Sequence, residues 1–172
     1  MIKEEGKKIL DACCGGRMFW FNKEHPDALF GDIRSEELDM KDGDKIRHLS
    51  IAPDTELDFR NMNLADNSFY LVVFDPPHMT SLGKNSWMAK KYGRLGEDWR
   101  DDLRAGFSEC FRVLKPNGTL IFKWNEYDIP VKEILKLTSN EPLFGHRSGK
   151  QQKTHWITFI KSLQPKGEQV DE

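Results

Sequence analysis

The apolar positions of the chain fall in short runs separated by polar turns. Ile9-Leu10 leads into the glycine-bearing turn Asp11-Ala12-Cys13-Cys14-Gly15-Gly16, and the residues from Arg17 to Lys23 predict the start of a helix. Ala28 to Asp32 repeats the theme as a strand ending in a carboxylate, after the turn His25-Pro26-Asp27. The stretch from Arg34 to Leu57 is polar and weakly patterned; a short helix is expected there, with a third short strand ending near Asp58. Phe69 to Phe74 is apolar throughout, as in a strand buried on both faces. Leu103, Phe107, Cys110, Phe111 and Leu114 recur at helical spacing, and Lys115-Pro116-Asn117-Gly118 ends that helix in a turn. Thr119 to Trp124 reads as the next strand, and Asp128 and Pro130 open a helix running through Val131, Ile134, Leu135 and Leu137. Phe144 to His146 and Thr154 to Ile160 alternate in character around a polar connection, which predicts a hairpin. Strands alternating with helices give an α/β class with a doubly wound, mostly parallel sheet, and the closing hairpin adds an antiparallel strand at one edge.

Composition narrows this picture. The chain of 172 residues fits one domain, taken as residues 1–164 with a polar tail at 165–172. A formal charge of -2 leaves no overall basic footprint, so any contact with nucleic acid must be local. No signal peptide or membrane-length apolar run is legible, which makes a cytoplasmic, non-membrane protein the expectation. Three cysteines, two of them adjacent (Cys13 and Cys14), give no disulfide framework and no metal-ligand spacing, so all three are expected as thiols and no metal is expected.

Four of the apolar runs end in aspartate: Asp11, Asp32, Asp58 and Asp75. In a doubly wound sheet the carboxyl ends of the strands border the ligand crevice, and carboxylates gathered there can accept hydrogen bonds from a hydroxyl- and amine-rich ligand. The small residues of DACCGGR allow close backbone approach, although a plain strand-to-helix turn would use them equally well. Asp32 stands about 20 residues beyond that turn, where dinucleotide-type folds place the acidic residue that meets ribose hydroxyls.

DACCGG, FGDIR, LDFRNM and LADNSFYLVVFDPPH, in that order, resemble the motifs of class I S-adenosylmethionine-dependent methyltransferases. The resemblance runs from about Ile9 to Trp124. FDPPH is similar to the catalytic Asp-Pro-Pro-aromatic motif of the amino-methyltransferases, which modify exocyclic amines of adenine or cytosine. The motifs together resemble small phage- or prophage-borne members of that class. The resemblance implies S-adenosyl-L-methionine as cofactor on a seven-stranded-type sheet. It implies that Asp11, Ala12, Cys13 and Gly15 border the methionine part. Asp32 would take the ribose hydroxyls, and Asp58 would accept from the adenine amine with Phe59 beside the ring; Ile33 and Asp75 complete the implied cofactor-binding set. It assigns catalysis to Asp75, Pro76, Pro77 and His78. Arg17 departs from the pattern, where many relatives keep a third small residue, and His78 replaces the commoner Tyr, Phe or Trp.

That motif suits amine chemistry. A nucleobase amine is a poor nucleophile because its lone pair is delocalised into the ring. A carboxylate at Asp75 and the Pro76 carbonyl can each accept one N–H and turn the lone pair outward. Two prolines stiffen the corner, and the flat ring of His78 can stack on the target. Beyond it, Lys84, Lys90, Lys91 and Arg94 interleave with Trp87 and Tyr92 in a stretch free of acidic residues, expected as a mobile loop contacting phosphates and bases. The same composition also fits a solvated connector. Trp124 fits either the target pocket or the core. The basic cluster His146, Arg147, Lys150, Lys153 and His155 on the closing hairpin fits a solvated face as well as a contact surface.

The expected reaction is methyl transfer to an exocyclic amine of a nucleobase, adenine N6 in DNA before the others. RNA bases and protein glutamine are alternative targets, and a specificity partner is one way to supply site selection. A catalytically silent cofactor-binding subunit is the rival from another class. A nicotinamide-dependent enzyme is disfavoured by the absent third glycine of GxGxxG. Methylation at cytosine C5 is disfavoured by the lack of any Pro-Cys dipeptide.

Overall fold

A computed structural model describes residues 6–42, 44–83 and 86–162. Lys84 and the tail 165–172 lie outside the described residues. Nine strands are described: β1 Ile9–Asp11, β2 Ala28–Asp32, β3 Glu36–Asp42, β4 Lys45–Ile51, β5 Thr55–Glu56, β6 Phe69–Phe74, β7 Leu114–Asn125, β8 Phe144–Ser148 and β9 Thr154–Ile160. Three helices accompany them: α1 Trp87–Tyr92, α2 Trp99–Val113 and α3 Val131–Leu135. Seven strands form one sheet in the order β5-β2-β1-β6-β7-β9-β8, and β3 and β4 pair separately. The pairings from β5 to β7 are parallel, and β9 runs antiparallel to both β7 and β8. This is the doubly wound sheet with an antiparallel hairpin that the alternating pattern predicts.

The chain builds outward from β1 through β2 to β5, then returns to lay β6 on the other side of β1. The reversal in strand order falls between β1 and β6, so the crevice lies at their carboxyl ends, where Asp11 and Asp75 stand. One face of the sheet carries the main core. Leu120, Phe122 and Trp124 of β7 are buried there with Phe74 and Phe159, under Leu103, Phe107, Cys110 and Phe111 of α2. Edge-to-face and tilted ring contacts knit the layer together, Phe74 with Phe107 at 5.6 Å and Phe107 with Phe122 at 4.9 Å. Gly106 is required by this contact, because a Cβ there would stand 2.6 Å from Cζ of Phe74 and 2.8 Å from Cδ2 of Phe59. Cys110 is fully buried on this face.

Several elements differ from the sequence-based expectations. Residues 17–23 form successive turns rather than a helix. Arg17 adopts a left-handed φ of 53° that interrupts helical propagation, while the aromatic side chains that follow are claimed by the sheet, Trp20 against Phe30 and Phe19 against Trp156. The polar stretch after Arg34 holds no helix. It folds into the β3–β4 hairpin, with Leu38 opposite Leu49 and Asp39 opposite His48, and β5 ends two residues before Asp58. The Lys115-Pro116-Asn117-Gly118 turn is absorbed into β7 as an irregularity: Leu114 pairs with Phe69 and Thr119 with Leu71, so the extra residues loop out. α3 is only five residues long, and Asp128 does not cap it but accepts from the backbone and hydroxyls of Thr80 and Ser81. The basic segment after DPPH includes α1, a short helix capped at its start by the Ser86 hydroxyl.

Among the described residues no helix is long and apolar enough to cross a membrane. No group of three or more His, Cys, Asp or Glu side chains among them is placed to hold a metal ion.

Candidate active site

A cavity of about 450 Å³ opens beyond the carboxyl ends of the strands at the crossover. Its lining brings together Ala12, Cys13 and Gly15 of the first turn, Asp32 at the end of β2 and Ile33 just past it, Asp58 and Phe59 past β5, the corner Asp75-Pro76-Pro77-His78, and Lys91, Tyr92 and Arg94 around the end of α1. Residues from five separate stretches of sequence therefore meet in one crevice, which is large enough for a small-molecule ligand.

Asp11 stands just behind this lining. It is fully buried and accepts from the Cys13 amide at 3.3 Å and from the Trp20 indole N–H at 2.7 Å, so it shapes the first turn from within. Burial pushes its carboxyl up to about 7 against the opposing effect of those two donors. A carboxyl raised in the folded state holds its proton where the unfolded chain has lost it. Its contribution to stability is present below the ordinary carboxylate range and is lost as pH rises through about 7. The difference in unfolding free energy between wild type and Asp11→Asn should therefore fall by up to about 1.4 kcal/mol per pH unit between pH 4 and pH 7. Urea titrations of both proteins at several pH values measure it; parallel stability curves would remove the assignment.

Asp32 and Asp58 are both folded under an arginine two residues later, a pairing written in the sequence as Asp-Ile-Arg and Asp-Phe-Arg and not recognised from it. Asp32 accepts from the Gly15 amide at 2.9 Å and from the backbone and guanidinium of Arg34; Arg34 also donates to the Lys90 carbonyl at 2.8 Å. Asp58 is held by Arg60, which reaches Asp102 as well, and this guanidinium holds the Asp58 carboxyl below its ordinary value. A ligand hydroxyl or amine reaches either carboxylate by taking over bonds now made by arginine.

The FDPPH corner is positioned by strand register. Phe74 of β6 lies opposite Phe122 of β7, so the next residues, Asp75 and Lys123, emerge side by side. Lys123 donates to Oδ2 of Asp75 at 2.6 Å. Burial raises the Asp75 carboxyl, and the Lys123 ammonium opposes that rise. His78 is held edge-on to Trp124 at 6.1 Å and beside Tyr92 at 6.1 Å. Burial pushes its imidazole down to about 4, so the ring is neutral at ordinary pH and suited to stacking. Asp128 ties down the exit of the corner through Thr80 and Ser81.

Three residues expected to meet substrate do not line the cavity. Trp124 is fully buried, with its indole N–H donating to the Ile129 carbonyl at 2.9 Å, because its position on β7 points to the α2 face of the sheet. Trp87 packs under the Arg47 guanidinium of β4 at 5.6 Å. Lys90 is not part of the lining, and its carbonyl accepts from Arg34, which is. Conversely, Phe19, Arg34, Arg60 and Lys123 line the cavity and were not anticipated. Lys123 had a legible signal: a lysine between Phe122 and Trp124 in a central strand needs a charged partner.

No family model matches the chain. It is 35% identical over 81 residues to the type II methyltransferase M.HpaI of Haemophilus parainfluenzae, a match covering 43% of this chain. The chain spans about a quarter of the length of that curated relative, the matched part being 23% of it. Among solved structures it superposes on a TehB-like S-adenosylmethionine-dependent methyltransferase from Corynebacterium glutamicum with a TM-score of 0.54 and 18% identity, covering 91% of this chain and 81% of that one. A methyltransferase from Methanosarcina mazei gives a TM-score of 0.54 at 15% identity, covering 93% and 94% of the two chains. The protein PH0226 of Pyrococcus horikoshii gives the same TM-score at 16% identity, covering 92% of this chain and 83% of its own. The chain thus has the Rossmann-like fold of S-adenosylmethionine-dependent methyltransferases, with its cavity at that fold's crossover.

Proposed function

We propose that this protein is an S-adenosylmethionine-dependent methyltransferase that modifies an exocyclic amine of a nucleobase, adenine N6 in DNA before other targets. The observation that carries this reading is the meeting of the DPPH corner with Asp32 and Asp58 around one cavity, with Asp11 buried just behind its lining. The partial likeness to M.HpaI supports a nucleic-acid target.

The residues present fit the cofactor. The cavity is within the range of small-molecule sites. Its first turn presents backbone at Gly15, in a left-handed conformation with φ of 47°, and its carboxylates match a ligand carrying hydroxyls and amines. Asp32 would take the ribose hydroxyls and Asp58 the adenine amine, with Ile33 and Phe59 against the ring. When bound, the cofactor supplies an electrophilic methyl group on a positively charged sulfur.

This chain's own groups act on the amine. Oδ1 of Asp75 has no protein donor among the described residues, so it can accept one amine N–H, and the Pro76 carbonyl can accept the other. Together they favour a pyramidal nitrogen with its lone pair directed out of the ring plane. The neutral ring of His78 stacks on the target, and its lack of charge avoids repulsion of a cationic methyl donor. Lys91 and Arg94 at the rim offer charge to phosphates. A base within a duplex does not reach this crevice, so the target is single-stranded or turned out of its stack.

The test is incubation with methyl-deuterated S-adenosylmethionine and a mixture of DNA, RNA and protein, followed by mass spectrometry of nucleosides and peptides. Labelled N6-methyl-2′-deoxyadenosine from DNA is the expected product. Stoichiometric cofactor binding with no labelled acceptor would replace this reading by that of a silent cofactor-binding subunit.

A further inference from the structure

We propose that Lys123 is a positioning residue for the reaction: it fixes the Asp75 carboxylate through one oxygen and leaves the other turned to the amine. The assignment rests on the amine-methylation reading for its kinetic part, and on geometry alone for the rest.

Lys123 is set for this task from three sides. Its strand places it beside Asp75 by register, with the ammonium 2.6 Å from Oδ2. Trp156 lies opposite it on β9, and the ammonium sits 5.6 Å from that ring and 5.3 Å from the ring of Phe19, so two aromatic faces confine it. The side chains of both partners are mostly withdrawn from solvent, 23% exposed for Lys123 and 18% for Asp75, where an ion pair is screened less than at the surface.

A cation at this point has a cost, because the amine itself becomes cationic as the methyl group arrives. The position is therefore poor for Lys123 as a group touching the substrate and good for it as a partner of Asp75. The titratable groups around Asp75 are Lys123 on β7, Asp11 at the tip of β1, Cys13 in the first turn and His78 on its own loop. Asp11 is itself a raised acid, burial pushes the Cys13 thiol up, and His78 is neutral. Lys123 is accordingly the one cation named among them, and without it Asp75 would protonate more readily and lose an acceptor lone pair.

Lysine is also the right cation. A guanidinium fork spans both oxygens of a carboxylate, whereas an ammonium is a point charge that engages one. Lys123→Arg should thus keep Asp75 ionised yet obstruct Oδ1, and Lys123→Met should leave Oδ1 open yet let Asp75 protonate.

The experiment is a carboxyl carbon NMR titration of the full chain labelled at aspartate, with Asp75→Asn to assign the signal, run beside the pH dependence of kcat. In Lys123→Met the Asp75 midpoint should rise by about one to three pH units, and the acid limb of kcat should rise with it. In Lys123→Arg the midpoint should stay near that of wild type while kcat falls at every pH. Lys123→Gln replaces the methionine variant if that variant does not fold. An unmoved midpoint in the folded variant lacking the charge, or wild-type kcat with arginine, overturns the proposal. If no acceptor is ever methylated the proposed function fails, and the NMR titration still decides whether Lys123 sets the state of Asp75.

Discussion

Asp75→Ala is expected to lower kcat for methyl transfer by about 10²- to 10³-fold or more, with the cofactor dissociation constant and the thermal midpoint close to those of wild type. The physical basis, on the proposed reading, is that the carboxylate would contribute an acceptor fixed in place before the amine arrives. Its benefit is realised mainly as the nitrogen becomes pyramidal and charged, so the loss falls on kcat more than on KM. Folding should survive because the residue lies just past β6, outside the α2-facing core layer. The substitution also leaves the Lys123 ammonium without its carboxylate, yet Lys123 keeps partial access to solvent and two aromatic faces. Initial rates with labelled cofactor, together with calorimetric binding, check both halves. Retained turnover would remove Asp75 from the chemistry.

Trp124→Ala should have the largest effect on stability, about 3–5 kcal/mol. The indole is fully buried, stacks on Phe122 at 6.0 Å, meets His78 and donates to the Ile129 carbonyl. Truncation empties the volume of a large aromatic and strips the Ile129 carbonyl of its donor. Natural domains have only about 5–15 kcal/mol to lose, so the variant is expected to be largely unfolded well below the wild-type midpoint. Chemical denaturation measures this. A variant of wild-type stability with a raised KM for the acceptor would instead put Trp124 back in the target pocket.

Much of the architecture is legible in the chain because burial on both faces writes itself plainly. Phe69 to Phe74 has no polar alternation, and it is a central strand. The spacing of Leu103, Phe107, Cys110 and Phe111 places α2 in its observed range. The segments misread are those whose structure is decided by distant partners. Residues 17–23 have local helical promise, but Asp11, Phe30 and Trp156 draw their aromatic side chains to the sheet. The β3–β4 hairpin is mostly exposed and mixed in charge, so no clean period marks it, and its register is visible only once Leu38 is seen opposite Leu49.

The site divides in the same way. Acidic strand tips and the Asp-Pro-Pro corner are fixed by where strands stop, which sequence can show. Which carboxylate is paired with which cation depends on register between strands far apart in sequence, as with Asp75 and Lys123, or on a backward fold, as with Arg34 and Arg60. Trp124 could not be assigned to pocket or core from its type alone; the parity of β7 decides it.

Arg34 joins two parts of the molecule that a bisubstrate reaction would use separately: with one side of its guanidinium it satisfies Asp32, and with the other it holds the backbone of α1 at Lys90. On the proposed reading, a nucleoside that took over Asp32 would release Nε and Nη2 of that guanidinium while Nη1 could stay on Lys90, so the first ligand would change how firmly α1 is tied down. An ordered addition in steady-state kinetics, methyl donor ahead of acceptor, is the expected trace of that shared side chain.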